Sequence, residues 1–293
     1  MELWQAVVLG VIQGVTEFLP ISSTAHLLAA RQAMGHPHPE DAFTTVVQLG
    51  TLVAVFVYFR ADIVHMLRAV WGDWRVKRFG SSLDSRLAWL IVLGTIPVVV
   101  IGLAFKRRIK DTFYDLPTMG VVAILFALLM LAAEVWHRVR KRDHHRSDVT
   151  EERIEWKIAL WIGLWQTLAL MPGASRSGTT LTAALFAGMN RSAGARFSFL
   201  LSLPSILGAG LKDLYDEYKL LKDPTREERP SLFASPDELT ALAVGTAVSA
   251  VVGYFAIAWL LNYLRKSGTG VFVAYRLILG GLIVGLFLAG KVR

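Results

Sequence analysis

The chain has 293 residues, 54% of them hydrophobic, with a mean hydropathy of +0.47 and a formal net charge of +8. That much apolar sequence indicates a polytopic helical membrane protein rather than a soluble domain, and the absence of cysteine excludes disulfides, thiol catalysis and cysteine-based metal sites. The positive balance suits loops beside anionic headgroups and topology signals; no basic stretch interleaves aromatics, which argues against nucleic acid as a partner.

The chain begins Met1-Glu2-Leu3-Trp4 without a basic leader, and its first apolar stretch is interrupted by Gln13 and Glu17, so no cleavable signal peptide is expected. This first segment, about 5–30, carries Gln13-Gly-Val-Thr-Glu17-Phe-Leu-Pro20-Ile-Ser22-Ser23-Thr24-Ala-His26. Pro20 removes a backbone donor and clashes with the preceding turn, which predicts a broken helix. Ser22, Ser23 and Thr24 follow at once and are residue types that cap a new helix start. Gln13 and Glu17 stand at i and i+4 and share one helical face.

Spans of near-bilayer length follow at about 43–60, 87–105 and 118–137, and later at 195–211, 238–262 and 271–290. Between the two groups lies a second motif, Pro172-Gly173-Ala174-Ser175-Arg176-Ser177-Gly178-Thr179-Thr180, inside a segment of about 158–192. Its Pro-Gly pair predicts another break, and Ser175 and Ser177 predict another capped start. The connecting segments 61–86, 106–117, 138–157 and 212–237 are read as loops. The remaining histidines, including His36, His38, His144 and His145, are read as solvated.

The halves resemble each other. Gly10-x-x-Gln13 before Pro20 matches Gly163-x-x-Gln166 before Pro172, and Phe43-x4-Gln48 matches Phe197-x4-Ser202, at offsets of about 153 to 154 residues. The reading is a single membrane domain over 1–293 made of two repeats, 1–140 and 155–293, each opening with a re-entrant hairpin and continuing with three spans. Three crossings reverse the starting side, so the repeats are inverted in topology. One set of loops holds about 14 Lys and Arg against about 12 in the other, which places both termini outside by a small margin.

Two half-helix starts meeting at depth would offer N–H groups and partial positive charge to a phosphate or carboxylate, and Arg176 adds a planar fork of donors. Taken singly, Ser22, Ser23, Thr24, Ser175 and Thr180 suit ordinary interhelical packing; their clustering, next to Arg176 and repeated in the other half, favours an anion site. Glu17 can hold a divalent cation with substrate phosphate oxygens, act as a general base, or pair with Arg176. His26 can serve as a base, protonate a leaving group, or bond backbone at an interface. Gly173-Ala-Ser175-Arg-Ser177 lacks the second glycine and preceding strand of a nucleophile elbow, and no Walker loop is present.

The two runs, Gln13 to His26 and Pro172 to Thr180, resemble the signature motifs of the undecaprenyl-diphosphatase family, also called bacitracin-resistance proteins. The likeness covers the whole chain in length, span number and motif spacing. It implies an all-α integral membrane enzyme of about six transmembrane helices plus two re-entrant broken-helix hairpins in inverted repeats. Such an enzyme hydrolyses undecaprenyl diphosphate to undecaprenyl phosphate and inorganic phosphate, recycling the carrier lipid for peptidoglycan. The resemblance also implies a bacterial cytoplasmic membrane location with an extracytoplasmic active site, and dependence on Mg2+ or Ca2+. It assigns Glu17 to catalysis or metal binding, Ser22, Ser23 and Thr24 to phosphate contact with Ser23 a candidate nucleophile, and His26 to a supporting catalytic role. Arg176 becomes the clamp on the diphosphate, supported by Ser175, Ser177 and Thr180. Gln13 stands where some members have Glu, so it is the weaker metal ligand. The organisation alone also fits a transporter of polyprenyl phosphate, and homodimerisation is left open.

Overall fold

The computed structural model describes residues 1–35, 42–142, 148–223 and 235–290. The helices α1 (Leu3–Phe18) and α2 (Ser23–Ala33) flank the first break, followed by α3 (Ala42–Tyr58), α4 (Arg60–Arg75), α5 (Leu83–Phe113) and α6 (Leu116–Arg142). A 3-10 turn at Glu151–Arg153 leads to α7 (Trp156–Leu168) and α8 (Arg176–Phe186), which flank the second break, and then to α9 (Arg191–Lys222), α10 (Pro236–Lys266) and α11 (Gly270–Leu288).

Five of these, α5, α6, α9, α10 and α11, are long and apolar enough to cross a membrane, and α3 with α4, bent by 73° at their junction, makes a sixth candidate. Each predicted span falls on one of α3, α5, α6, α9, α10 and α11 to within two residues. The outward face is apolar, with Leu103 75% and Ile278 72% exposed, while Arg276 and Thr179 are fully buried. Such a surface is at home in lipid, where association rests on close packing and internal hydrogen bonds rather than on hiding apolar area from water. The chain is an all-α, multi-pass integral membrane protein.

Three features depart from the sequence reading. Residues 61–75 of the expected 61–86 loop belong to α4, Arg60–Arg75; its charges defeat a spanning-length hydropathy window, yet its apolar residues recur at helical spacing. The helices α5, α6 and α9 also run on into the connecting segments, to Phe113, Arg142 and Lys222, because hydropathy marks only the apolar portion of a longer helix. Among the other histidines, His65 is exposed on α4 but His137 is buried in α6. His36, His38, His144 and His145 lie outside the described residues.

Both motif segments break as the prolines require. The helix α1 stops at Phe18 and α2 starts after Ser22; α7 stops at Leu168 and α8 starts after Ser175. The packing partners correspond: α1 lies on α10 as α7 lies on α5. A Cβ on Gly10 would sit 2.5 Å from the Gly245 carbonyl, and one on Gly163 would sit 2.2 Å from that of Gly94, so each contact needs glycine for backbones to touch.

The helix α8 is the innermost element, buried from Ser177 to Leu185 against α6, α7 and α9. Its hydroxyls do not go unpaired there. Thr182 donates to the Gly178 carbonyl at 2.7 Å, and Thr179 to that of Arg176 at 2.9 Å. At the break before it, Gly173 has φ +94°, and a Cβ there would lie 2.5 Å from the Met119 carbonyl oxygen. Gly173→Ala is therefore expected to lower stability by at least about 1–3 kcal/mol, read as thermal unfolding in detergent. Gly102→Ala, whose new methyl meets only Leu170 at 3.8 Å, should leave the transition unchanged or raise it.

Candidate active site

The two breaks meet in the interior. The turn before each second half-helix ends in a serine held at positive φ, 75° for Ser22 and 67° for Ser175, in repeat-equivalent positions. A non-glycine residue in that region costs on the order of 1–3 kcal/mol and persists only where the surroundings impose it. The imposed geometry turns both helix starts toward one point. Ser175 caps its own helix by accepting from the Gly178 amide at 3.2 Å, whereas Ser22 makes no side-chain cap.

Glu17, 8% exposed, sits where α1 ends. Its Oε2 accepts from Ser23 Oγ at 2.8 Å and from Gln13 Nε2 at 3.1 Å. Its Oε1 accepts from Gln48 Nε2 at 2.9 Å and faces Arg176 Nη1 at 3.9 Å. Both carboxylate oxygens thus point into donors, which holds the carboxylate in one orientation beside the hydroxyl of Ser23. Arg176 Nη1 is buried without a hydrogen-bond partner among the described residues. A guanidinium nitrogen left in that condition has unspent donor capacity, the feature expected where an anion is to be received.

A narrow crevice opens at this point, lined by the polar groups of Glu17, Arg176, Ser177, Ser198 and Ser202 and by Phe18, Phe199 and Ile206. Phe18 and Phe199 meet edge to face at 5.3 Å and form the apolar wall.

The other sequence-predicted residues divide. Ser177 Oγ donates to the Leu19 carbonyl at 3.1 Å, tying the second motif to the first break, and lies 3.2 Å from Ser175 Oγ. Thr24 is half-buried at the start of α2. Thr180 is fully buried and donates to the Arg176 carbonyl at 2.8 Å, so in this arrangement its hydroxyl supports the helix start and does not face the crevice. His26 turns toward α11: its Nδ1 lies 2.7 Å from the Ser22 carbonyl and its Nε2 lies 2.7 Å from the Tyr275 hydroxyl. Because a carbonyl only accepts, Nδ1 carries the proton, and in the neutral ring Nε2 accepts from Tyr275. Of the three readings of His26, this geometry displays the backbone bond at an interface.

Two residues were missed by sequence reasoning. Gln48, a lone amide in an apolar helix, enters the sequence reading only through its repeat match to Ser202. Arg276 is fully buried on α11 and donates to three carbonyls: Nη1 to Pro20 at 3.3 Å, Nη2 to Gly173 at 3.0 Å and Nε to Ala123 at 3.2 Å. One guanidinium thereby fastens both breaks. The signal that should have found it is the arginine itself, an ionisable group inside an apolar span. The second half carries no counterpart of Glu17: its equivalent position is Leu170, so the paired motifs have divided their chemistry, a carboxylate from one and a guanidinium from the other.

Among the described residues no three His, Cys, Asp or Glu side chains come together as a metal cluster. Glu17, with amide and hydroxyl neighbours, fits a hard cation only if substrate oxygens complete the set, as is common for magnesium.

The family model described as bacitracin resistance protein BacA matches residues 6–282. An undecaprenyl-diphosphatase of Chloroherpeton thalassium is 47% identical over 295 residues, covering 100% of this chain and 99% of its own. Proteins of the same name from Chlorobium chlorochromatii and Chlorobaculum tepidum are 45% and 46% identical, covering 100% and 97% of each chain respectively. With the matched region running from α1 through most of α11, and with both motif breaks inside it, this chain belongs to the bacitracin resistance protein BacA family.

Proposed function

We propose that the chain hydrolyses undecaprenyl diphosphate to undecaprenyl phosphate and inorganic phosphate at the junction of its two broken helices. The observation that carries this reading is the buried, unpartnered Arg176 Nη1 facing a Glu17 carboxylate that already accepts the Ser23 hydroxyl proton. A nucleophile bonded to its base, next to donors for developing negative charge, is the arrangement phosphoryl transfer needs.

In this mechanism the terminal phosphoryl group enters the crevice and its oxygens take up the free donor of Arg176 and the amides at the start of α2. Glu17 accepts the proton of Ser23 as Oγ bonds to phosphorus, while the bond from phosphorus to the bridging oxygen breaks and lipid phosphate leaves. Water then hydrolyses the phosphoserine, releasing inorganic phosphate and restoring Ser23. Direct attack by water, with Glu17 as its base, is the variant the test below separates. His26 holds the Ser22 turn, and Gln13 and Gln48 hold Glu17. A divalent cation, Mg2+ or Ca2+, held by Glu17 and substrate oxygens would neutralise charge on the diphosphate.

The polyprenyl chain lies outside the crevice, against apolar helix faces, so chain length is sensed weakly. The two halves, 1–140 and 155–293, are inverted repeats in this proposal. Support comes from the corresponding α1–α10 and α7–α5 packing and the paired serine turns. The protein sits in the bacterial cytoplasmic membrane with the crevice toward the extracytoplasmic side, in keeping with the small basic excess of the opposite loops. A transporter reading draws on the same repeats but gives no part to a serine hydroxyl bonded to the buried carboxylate.

Phosphate release from polyprenyl diphosphate by purified protein is the test. It should fall to background with chelator and return with Mg2+ or Ca2+. Ser23→Ala should lose roughly 10²–10⁴ in kcat if Ser23 is the nucleophile; full activity in that variant assigns the attack to water, and no release by the unaltered protein removes the enzyme reading altogether.

A further inference from the structure

We infer that α4 and the turn after it, residues 60–79, form a docking surface for anionic phospholipid headgroups, lying along the membrane plane instead of across it. The helix leaves α3 at 73°, so a crossing α3 directs α4 sideways. It carries Arg60, Asp62, His65, Arg68, Asp73 and Arg75 in a single helix, too many charges for the hydrocarbon core.

Its faces are sorted accordingly. Val64, Leu67, Trp71 and Trp74, at helical spacing, point outward, with Leu67 65% and Trp74 63% exposed. Met66 and Asp73 point inward and are buried. Both acidic groups are engaged within the protein: Asp62 accepts from Arg196 of α9, and Asp73 accepts from the amide and hydroxyl of Ser81, the amide at 3.0 Å. The exposed basic groups Arg68, Arg75, Lys77 and Arg78 have no carboxylate partner among the described residues, and Arg75 stacks 5.9 Å over Trp71. What remains outward is an apolar stripe with two tryptophans, edged by uncompensated positive charge. Tryptophan settles at the headgroup level, and such an amphipathic helix binds a surface by buried apolar area plus attraction to acidic lipid. Charge complementarity therefore selects a phosphate-bearing lipid layer as the occupant.

The chain has no cysteine, so one introduced cysteine reports one place. Full-length protein carrying Leu67→Cys, Trp71→Cys or His65→Cys is labelled with a fluorophore and reconstituted in phosphatidylcholine vesicles with added phosphatidylglycerol. Labels at 67 and 71 should be shielded from aqueous iodide and the label at 65 should not. Nitroxide-tagged phosphatidylglycerol should quench the label at 71 with an apparent association about fivefold or more above tagged phosphatidylcholine, the fold-change of one basic contact. Combining Arg68→Gln, Arg75→Gln, Lys77→Gln and Arg78→Gln should erase that preference without changing the melting temperature. Equal quenching by both lipids, a preference surviving neutralisation, or iodide access at 67 and 71 equal to that at 65 overturns the proposal. Shielding in detergent that grows with protein concentration overturns it too, by assigning the face to a second copy of the chain.

Discussion

Glu17→Gln is expected to lower phosphate release from polyprenyl diphosphate by roughly 10²–10⁴, the range of a removed general base, and Arg176→Gln by roughly 10³–10⁵, the range of a removed arginine at a transferring phosphoryl group. The informative result is the double variant. If the two side chains existed only to neutralise each other, removing both charges would restore what either single change lost. With distinct roles in chemistry, Glu17→Gln with Arg176→Gln stays as inactive as the worse single variant while recovering part of the stability. The stability effects should be smaller than the roughly 3–5 kcal/mol of breaking a fully buried pair, since the Arg176 side chain is 27% exposed and the pair stands at 3.9 Å. Measuring turnover and thermal unfolding on the same samples separates the two quantities. Recovered turnover in the double variant would reduce the site to a structural ion pair.

Arg276→Met should be the most damaging single change outside the crevice. Methionine keeps much of the apolar stem but deserts three carbonyls, those of Pro20, Gly173 and Ala123. Leaving buried acceptors unpaired costs about 1–3 kcal/mol each, so a loss of at least about 3 kcal/mol is expected, or roughly 6–12 °C at about 2–4 °C per kcal/mol. Turnover should fall as well, because the same guanidinium fixes the distance between the breaks that bring Glu17 to Arg176. Arg276→Lys, with its charge retained but without the fork, should lie between. An Arg276→Met variant that melts and turns over like the unaltered protein would mean that the breaks hold their positions without this clamp.

Sequence carried the fold because its determinants are local. Apolar runs of bilayer length mark α5, α6, α9, α10 and α11 almost irrespective of neighbours, and Pro20 and Pro172 interrupt helices by sterics that act within one turn. Hydropathy failed at α4 for an equally physical reason: a helix sorted into one inward and one outward apolar side, with charge between, looks polar to any window average. The candidate site was legible as two lists of residues, Gln13 to His26 and Pro172 to Thr180, since carboxylates, hydroxyls and arginine are costly within apolar segments wherever they end up.

The chain's own sequence determined which groups are present and where its helices must break. Only the tertiary structure decided which of those groups meet. Glu17 faces Ser23 six residues away and Arg176 from the other half; Thr180 folds back on its own helix and His26 reaches for Tyr275. Arg276, distant from both motifs in sequence, lies between their turns. The reason is that side-chain direction at a broken helix follows from the φ of one turn residue and from the backbones packed around it. Contacts between residues 159 positions apart, as for Glu17 and Arg176, or 256 apart, as for Pro20 and Arg276, are set by how the helices stack and not by any pattern within either segment.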